Sequence, residues 1–364
     1  LAGAVAADLP DWLWERLGET MGAQRRAAFA RGVRESAPLD LRVNVVKATR
    51  DEALARLSAD GHAVAPTRYS PWGIRVAGRP MLAQHPWFLD GRIEVQDEGS
   101  QLVAFLVAPR RGEMVVDFCA GAGGKTLALG ALMRSQGRLY AFDTVGKRLA
   151  NFKPRLARSG LSNVHPQLIA HERDAKVKRL AGKVDRVLVD APCTGLGALR
   201  RRPEARWRRT PADLAVLSRL QRELLAGALD AARVGGVVAY VTCSPHLAET
   251  VFAVDDVLRR RSDVERLDAD LAWIRTELAT HGIVLDESVR LVDVATLVDG
   301  LDVYGVATLP ELVAHLQGLR RLQPTRPRFD LDDSEPPYAT DYMHIKGQDH
   351  CKRALEVAAA GGHN

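Results

Sequence analysis

The sequence predicts an α/β protein built on a doubly wound parallel sheet, with a smaller α/β unit ahead of it. Three observations carry that prediction. Apolar runs of strand length recur at 114–118, 138–142, 164–168, 186–189 and 237–241. Helical stretches fall between them, at 125–133, 147–159 and 211–232. The first run ends in a glycine-rich loop that opens a helix. Strands alternating with helices read as parallel strands joined by crossovers.

The elements before that sheet follow in order. Residues 8–35 read as helix, with Leu9, Trp12, Leu13 and Leu17 on one face, and make up an N-terminal segment, 1–36. Residues 37–93 form the small α/β unit. Its first strand is read at 41–46, and Thr49 then caps a helix running to about residue 60. Residues 74–93 give short strands with turn signals at Gly73 and Asp90-Gly91. A helix from Gln96 to Val107 leads into the main domain, 94–265. Beyond about 265 the character changes. The stretch 322–341 is rich in Pro, Asp and Tyr and reads as linker or disordered chain, and a last helix is read at 349–360. There are no internal repeats.

Length and composition fit a globular protein of two or three domains. Four scattered cysteines (Cys119, Cys193, Cys243, Cys351) make no CxxC pair and no cluster with zinc-ligand spacing, so no metal is expected. They point to reduced thiols in a cytoplasmic setting. No signal peptide or membrane-spanning run is read. The chain starts at Leu1, so an upstream part is expected to be missing. Net charge is +6, but unevenly spread: residues 1–260 carry +13 and residues 261–364 carry −7. A basic front portion implies a polyanionic partner, most simply nucleic acid; a solvated basic surface is the alternative.

Two cysteines stand just past buried strands. Asp190-Ala191-Pro192-Cys193-Thr194-Gly195 follows the fourth run and Thr242-Cys243-Ser244 the fifth. Ligands of open α/β sheets bind outside the carboxyl ends of the strands. If these strands are neighbours, two thiols face one crevice beside a carboxylate, which suits covalent chemistry on an electrophilic ring. The alternative is a pair of space-filling cysteines.

The loop Asp117-Phe118-Cys119-Ala120-Gly121-Ala122-Gly123-Gly124-Lys125-Thr126 is neither G-x-G-x-x-G nor a Walker loop. Its glycines permit close backbone approach, and the helix start offers free N–H groups. Asp143, at the end of the second strand, suits ribose hydroxyls. Together they fit a nucleoside cofactor without phosphates, S-adenosyl-L-methionine. Asp174 either reaches the adenine amino group or simply caps a helix.

Four motifs in order now carry a resemblance. Cys119-Ala-Gly-Ala-Gly-Gly-Lys-Thr126, Asp190-Ala-Pro-Cys193-Thr-Gly-Leu-Gly197, Arg201-Arg202-Pro203-Glu204-Ala205-Arg206-Trp207 and Thr242-Cys243-Ser244 resemble the RsmB/Nop/Sun family of S-adenosylmethionine-dependent RNA (cytosine-C5) methyltransferases. Gln96-Asp97-Glu98-Gly99-Ser100-Gln101 and Leu39-Asp40-Leu41-Arg42-Val43-Asn44 match two further segments of it, and the resemblance covers about 8–265. It implies a Rossmann-like class I methyltransferase sheet with a small N-terminal RNA-binding subdomain. It assigns Cys243 as the nucleophile that adds to C6 of cytosine, Cys193 to product release, and Asp190 to the cytosine edge beside the cofactor. Cys119, Ala120, Gly121, Ala122, Gly123, Gly124, Lys125, Asp143, Asp174 and Asp190 would line the cofactor. A thiol reacts as thiolate, so nearby positive charge helps; Lys125 could supply it or serve the loop structurally. Arg201, Arg202, Arg206 and Trp207, with Arg42 and Asn44, would contact RNA, rRNA first, with guanidinium groups on phosphates and the indole under a base. The alternative buries Trp207 in the core. An unpaired cytosine is the expected target, since the base must leave its stack. A monomer is expected.

The family's closing antiparallel pair, with its His-Gly-Thr-Asp-type segment, is not found in this chain. Instead, Leu297-Val298-Asp299-Gly300-Leu301-Asp302-Val303-Tyr304-Gly305 and the run from Ile345 to Asn364 resemble ComM-type, magnesium-chelatase-like AAA+ ATPases over about 285–364, without a Walker loop. A DNA cytosine methyltransferase would use the Pro-Cys thiol alone. An amino-group methyltransferase would show Asn/Asp-Pro-Pro-aromatic where Asp190-Ala-Pro-Cys193 stands. A fused or truncated product that binds RNA or a partner without turnover, and a tRNA methyltransferase, are the other readings.

Overall fold

The computed structural model describes residues 2–264, together with Arg266, Ala279 and Thr280. The chain opens with α1 (Ala2–Ala7) and α2 (Asp11–Gly32). The helix expected over 8–35 starts only at Asp11, because Asp8 adopts φ 53° and Pro10 is extended, and α1 is a further helix ahead of it. Leu9, Leu13 and Leu17 do share a buried face, packed with Ala30 and Val33 against Leu196 and Leu199. The N-terminal helices therefore dock on the segment that follows the Cys193 loop.

The small unit contains β1 (Leu39–Val43), α3 (Arg50–Ala59), β2 (Val64–Pro66), β3 (Gly73–Val76), α4 (Pro86–Leu89) and β4 (Ile93–Val95). Its sheet is antiparallel, in the order β2-β3-β1-β4. Leu41, Val43, Ala53, Leu57, Ile74 and Ile93 fill its core. Thr49 caps α3 in a full capping box with Glu52. The first strand ends three residues earlier than expected because Asn44 turns the chain: its Oδ1 accepts the Val46 N–H at 3.2 Å and its carbonyl accepts the Lys47 N–H.

The main domain runs α5 (Glu98–Val107), β5 (Met114–Asp117), α6 (Gly124–Leu132), β6 (Arg138–Asp143), α7 (Gly146–Ser159), β7 (Val164–Leu168), α8 (Ala175–Lys178), β8 (Val184–Asp190), α9 (Ala205–Arg208), α10 (Pro211–Ala231), β9 (Ala232–Val241) and α11 (Val251–Leu258). Its five strands are all parallel, in the order β7-β6-β5-β8-β9. The order reverses at β5, so a crevice opens beyond the carboxyl ends of β5 and β8. One face packs Val103, Val107, Leu127, Leu129 and Phe152 from α5, α6 and α7. The other packs Val177, Leu224, Ala228 and Ala231 from α8 and α10. The last two strands are longer than the apolar runs suggested; Ala232 pairs with Val184 ahead of a register irregularity.

The segment Gln96-Asp97-Glu98-Gly99-Ser100-Gln101 is the seam between the two units. Glu98 Oε1 accepts the Tyr69 and Ser70 N–H groups at 2.6 and 2.9 Å. Gln101 donates to the Leu41 carbonyl at 3.2 Å and accepts from the Ser70 hydroxyl at 2.6 Å. The 322–341 linker, the 349–360 helix, the missing closing pair and the ComM-like resemblance of 285–364 all lie outside the described residues.

Candidate active site

The glycine-rich loop turns from β5 into α6. Gly123 caps α6 in the left-handed region at φ 82°, and a Cβ there would sit 2.0 Å from the Phe152 ring. Only glycine serves. Gly121 is also left-handed, and a Cβ there would meet nothing within 4 Å, so the loop faces open space. Asp143, buried at the end of β6, accepts the Gly121 N–H at 2.9 Å through Oδ2 and the Val145 N–H at 2.7 Å through Oδ1. It thus shapes the loop as well as standing beside it. Open glycine backbone, the N-terminus of α6 and a buried carboxylate fit a nucleoside with a charged tail.

Asp174, by contrast, is a half-buried helix cap. Its two carboxylate oxygens accept the Lys176 and Ala170 N–H groups, both at 2.8 Å, and these bonds hold its pKa below the usual carboxylate value. Of the two roles the sequence left open, the cap is the one the described contacts display.

Lys125, on the first turn of α6, points across the crevice to Asp190 at the end of β8. Its Nζ donates to Asp190 Oδ2 at 2.8 Å, and both groups are buried. Asp117 sits behind them, accepting the Thr126 hydroxyl at 2.6 Å. Burial, and then the nearby Asp190 charge, push the Asp117 carboxyl up to about 7. Cys119 is also driven well above its ordinary value, first by burial and then by Asp117, so it is no candidate thiolate.

β8 and β9 are neighbours, in register from Arg186↔Val237 to Asp190↔Val241. That pairing brings the two cysteine loops together. The Cys193 and Cys243 sulfurs lie 2.7 Å apart, and the Cys243 N–H donates to Cys193 Sγ at 3.1 Å. Neither is in a disulfide. They form a buried pair separate from both apolar layers of the sheet.

Two residues around the pair, Glu249 and Gln221, were not singled out from sequence. Glu249, wholly buried, accepts the Thr194 N–H at 2.8 Å, the Thr194 hydroxyl at 2.5 Å and the Gln221 amide at 3.0 Å. Gln221 also donates to the Pro192 carbonyl at 2.8 Å. Thr194 Oγ1 lies 3.1 Å from Ser244 Oγ, which joins the two loops. Arg209 reaches the Thr194 carbonyl at 3.2 Å and the Cys193 carbonyl at 3.5 Å. One signal was available: Gln221 is a polar residue on the face of α10 that buries Leu224, Leu225 and Ala228. For Glu249 there was none.

The residues expected to contact RNA divide sharply. Trp207 is 58% exposed, which removes the buried-indole alternative, and Arg202 is exposed beside it. Arg206 is instead 2% exposed; it pairs with Asp8 at 2.6 Å and donates to the Asp8 and Val33 carbonyls. Its place is under the N-terminal helices, not on a nucleic acid surface. Arg201 pairs with Asp97 and donates to the Pro38 carbonyl at 3.1 Å. Arg42 is buried on β1, donating to Gln96 Oε1 at 2.6 Å, and desolvation lowers its pKa to about 10. Asn44, also buried, donates to the Gly91 and Ser159 carbonyls at 2.9 and 2.8 Å. The expectation that Arg42, Asn44 and Arg206 face RNA is corrected: short-range sequence cannot distinguish an arginine on the surface from one that bridges two units. No helix of the described residues is long and apolar enough to cross a membrane, and none of their His, Cys, Asp and Glu side chains cluster as a metal site.

Comparison with known proteins places this geometry. Residues 104–289 match the family model for the 16S rRNA methyltransferase RsmB/F, and residues 9–81 match a RsmF/B-like, ferredoxin-like domain. The first match extends past residue 265, where the resemblance read from sequence stopped. A Mycobacterium tuberculosis protein is 48% identical over 53% of this chain and 42% of its own length. The ribosomal RNA small subunit methyltransferase B of Pseudomonas syringae pv. tomato is 34% identical over 71% of this chain and 57% of its own. The chain thus spans about half the length of the curated relatives it matches. A mouse 28S rRNA (cytosine-C(5))-methyltransferase is 30% identical over 69% of this chain and 32% of its own. The crystal structure of a methyltransferase homolog from Pyrococcus horikoshii superposes with a TM-score of 0.63 at 29% identity, covering 71% of this chain and 81% of that one. With more than half of its residues matched by the catalytic-domain model, the chain belongs to the 16S rRNA methyltransferase RsmB/F family.

Proposed function

We propose that this chain transfers a methyl group from S-adenosyl-L-methionine to C5 of a cytosine in RNA, with small-subunit rRNA as the substrate, through a covalent Cys243 adduct. The observation that carries the reading is the contact of two thiols, 2.7 Å apart, at the ends of adjacent parallel strands beside a buried Lys125–Asp190 pair. The names of the Pseudomonas and mouse relatives support the reaction and the RNA class.

C5 of cytosine is a weak nucleophile, and addition of a thiolate to C6 makes it an enamine carbon. Cys243 gives up its proton to solvent, and the thiolate forms the S–C6 bond. Asp190 hydrogen-bonds the cytosine edge, and Lys125 keeps that carboxylate oriented. When bound, the cofactor supplies the electrophilic methyl group. The loop from Cys119 to Lys125 and Asp143 hold its nucleoside and tail. Cys193 then assists loss of the C5 proton. As that proton leaves, the C5–C6 double bond re-forms, the S–C6 bond breaks and the electron pair returns to Cys243. Trp207 and Arg202 remain on the surface as candidates for RNA contact, whereas Arg201, Arg206, Arg42 and Asn44 serve the scaffold. Reduced thiols and an rRNA substrate favour a cytoplasmic enzyme, which we take to act as a monomer. For 285–364 the ComM-like resemblance rests on sequence alone, and the family match takes in its first residues.

The test is Cys243→Ala. Methyl transfer from labelled cofactor to rRNA should be abolished while cofactor binding, measured by calorimetry, persists. Substantial turnover by the variant would overturn the assignment.

A further inference from the structure

Glu249 is buried among neutral partners, although carboxylates are almost never fully buried unless a cation pairs with them. Its position relative to the cysteines gives it a use. One oxygen accepts the Thr194 N–H and the Gln221 amide, and the other accepts the Thr194 hydroxyl. Gln221 grips the Pro192 carbonyl, so the backbone on both sides of Cys193 is held. Thr194 in turn meets Ser244, the neighbour of Cys243. Behind the carboxylate, the Tyr240 hydroxyl donates to the Glu249 carbonyl at 2.8 Å and fixes the start of α11 against β9. The network grips the residues on either side of Cys193 and reaches Ser244, the residue after Cys243.

We propose that Glu249 is a positioning residue that sets Cys193 against Cys243 and thereby governs release of the methylated RNA. The inference rests on the reading of Cys243 as nucleophile and Cys193 as the release group. Both oxygens of Glu249 accept hydrogen bonds, whereas an amide offers one acceptor oxygen, so Glu249 fixes the Cys193 loop more firmly than an amide could. Without it, the Thr194 N–H, the Thr194 hydroxyl and the Gln221 amide lose a shared acceptor. The stretch around Cys193 then loosens between the bonds that remain, Arg209 to the Thr194 and Cys193 carbonyls and the Gly197 N–H to the Cys243 carbonyl at 3.0 Å. Attack on C6 survives, and loss of the C5 proton with breakage of the S–C6 bond slows.

The experiment compares wild type, Cys193→Ala, Glu249→Ala and Glu249→Gln with RNA and S-adenosylmethionine, run on denaturing gels. Glu249→Ala should behave as a weaker Cys193→Ala. A retarded protein–RNA band should accumulate while kcat falls roughly tenfold or more, the equivalent of one lost charge-assisted hydrogen bond. Because the slowed step follows methyl transfer, KM should fall together with kcat, while kcat/KM and calorimetric cofactor affinity should stay near wild type. Glu249→Gln, which keeps the shape and one acceptor oxygen, should recover part of the rate. Simple destabilisation lowers all activity and accumulates no adduct. If Glu249→Ala fails to fold, Thr194→Val removes the hydroxyl link without changing shape and should trap adduct likewise. Trapping by Cys193→Ala with none by Glu249→Ala or Thr194→Val would overturn the role of Glu249. No trapping by Cys193→Ala would overturn the release role of Cys193 and this inference with it.

Discussion

Asp117 should make the protein less stable as pH rises toward neutrality, and Asp117→Asn should remove that dependence. Its carboxyl is wholly buried, with the Thr126 hydroxyl as its hydrogen-bond donor at 2.6 Å, and burial is the main cause of a pKa near 7 against 3.8 for the ordinary group. The folded state therefore binds the proton more tightly than the unfolded state. Below about pH 4 both states are protonated and the group has no cost. Between about 4 and 7 the unfolded chain ionises first, and stability falls by about 1.4 kcal/mol per pH unit. Above about 7 both are ionised, and the accumulated loss is about 4 kcal/mol. An asparagine keeps an acceptor for Thr126 and never ionises. In urea unfolding followed by circular dichroism, the variant should gain on wild type by about 3 kcal/mol between about pH 5 and 7.5. Titrating groups far from Asp117 are common to both proteins and drop out of the difference. Parallel stability curves would refute the reasoning.

Three further outcomes separate scaffold from surface. Lys125→Met leaves Asp190 buried without its ammonium partner and should cost about 3–5 kcal/mol in urea unfolding at neutral pH; a loss below about 1 kcal/mol would mean water replaces the ammonium. Arg206→Met should lower thermal stability by about 1–3 kcal/mol, because it strips donors from Asp8 and two carbonyls. Trp207→Ala, at an exposed site, should leave stability within about 0.5 kcal/mol and weaken single-stranded RNA binding by about 1–3 kcal/mol in fluorescence anisotropy. Equal affinities would exclude the indole as a stacking platform.

The parts of the molecule legible in sequence are those written locally. Strand ends in the main sheet are marked by Asp117, Asp143 and Asp190, each a polar residue closing an apolar run, and the functional loops follow directly. Consecutive parallel strands joined by one crossover are often neighbours, so the sequence could set out the pairing of the two cysteines as a condition, which the adjacency of β8 and β9 meets. What stayed hidden depends on packing between distant segments. Arg206 and Trp207 are consecutive in the four-residue helix α9, and a 3.6-residue period turns one inward and the next outward. Nothing local says which. Glu249 lies on the far side of Cys243 from the Cys193 loop in sequence, and its partner Thr194 is 55 residues away. The early end of β1 reflects a side-chain turn at Asn44, where the apolar run simply continued through Val45 and Val46.

The same long-range contacts decide how the small unit bears on the cofactor loop. Glu94 on β4 is buried and accepts from two arginines of α7: Arg158 at 2.7 Å and Arg155 at 3.0 Å. Arg158 also stacks on Phe88 of α4, with its guanidinium carbon 4.2 Å from the ring centroid. Arg155 has a second contact, donating to the Ala122 carbonyl at 2.8 Å within the glycine-rich loop. One guanidinium therefore joins the small sheet to the backbone that would cradle the cofactor. Glu94 is too buried for water to replace either arginine at little cost, and a carboxylate left there unpaired would be strongly unfavourable. A shift of β4 relative to α7 must break this pair or carry the Arg155 side chain with it, and in the second case the loop loses a donor. The docked position of the small unit is thus one of the conditions that fix Ala122 in place between Gly121 and Gly123.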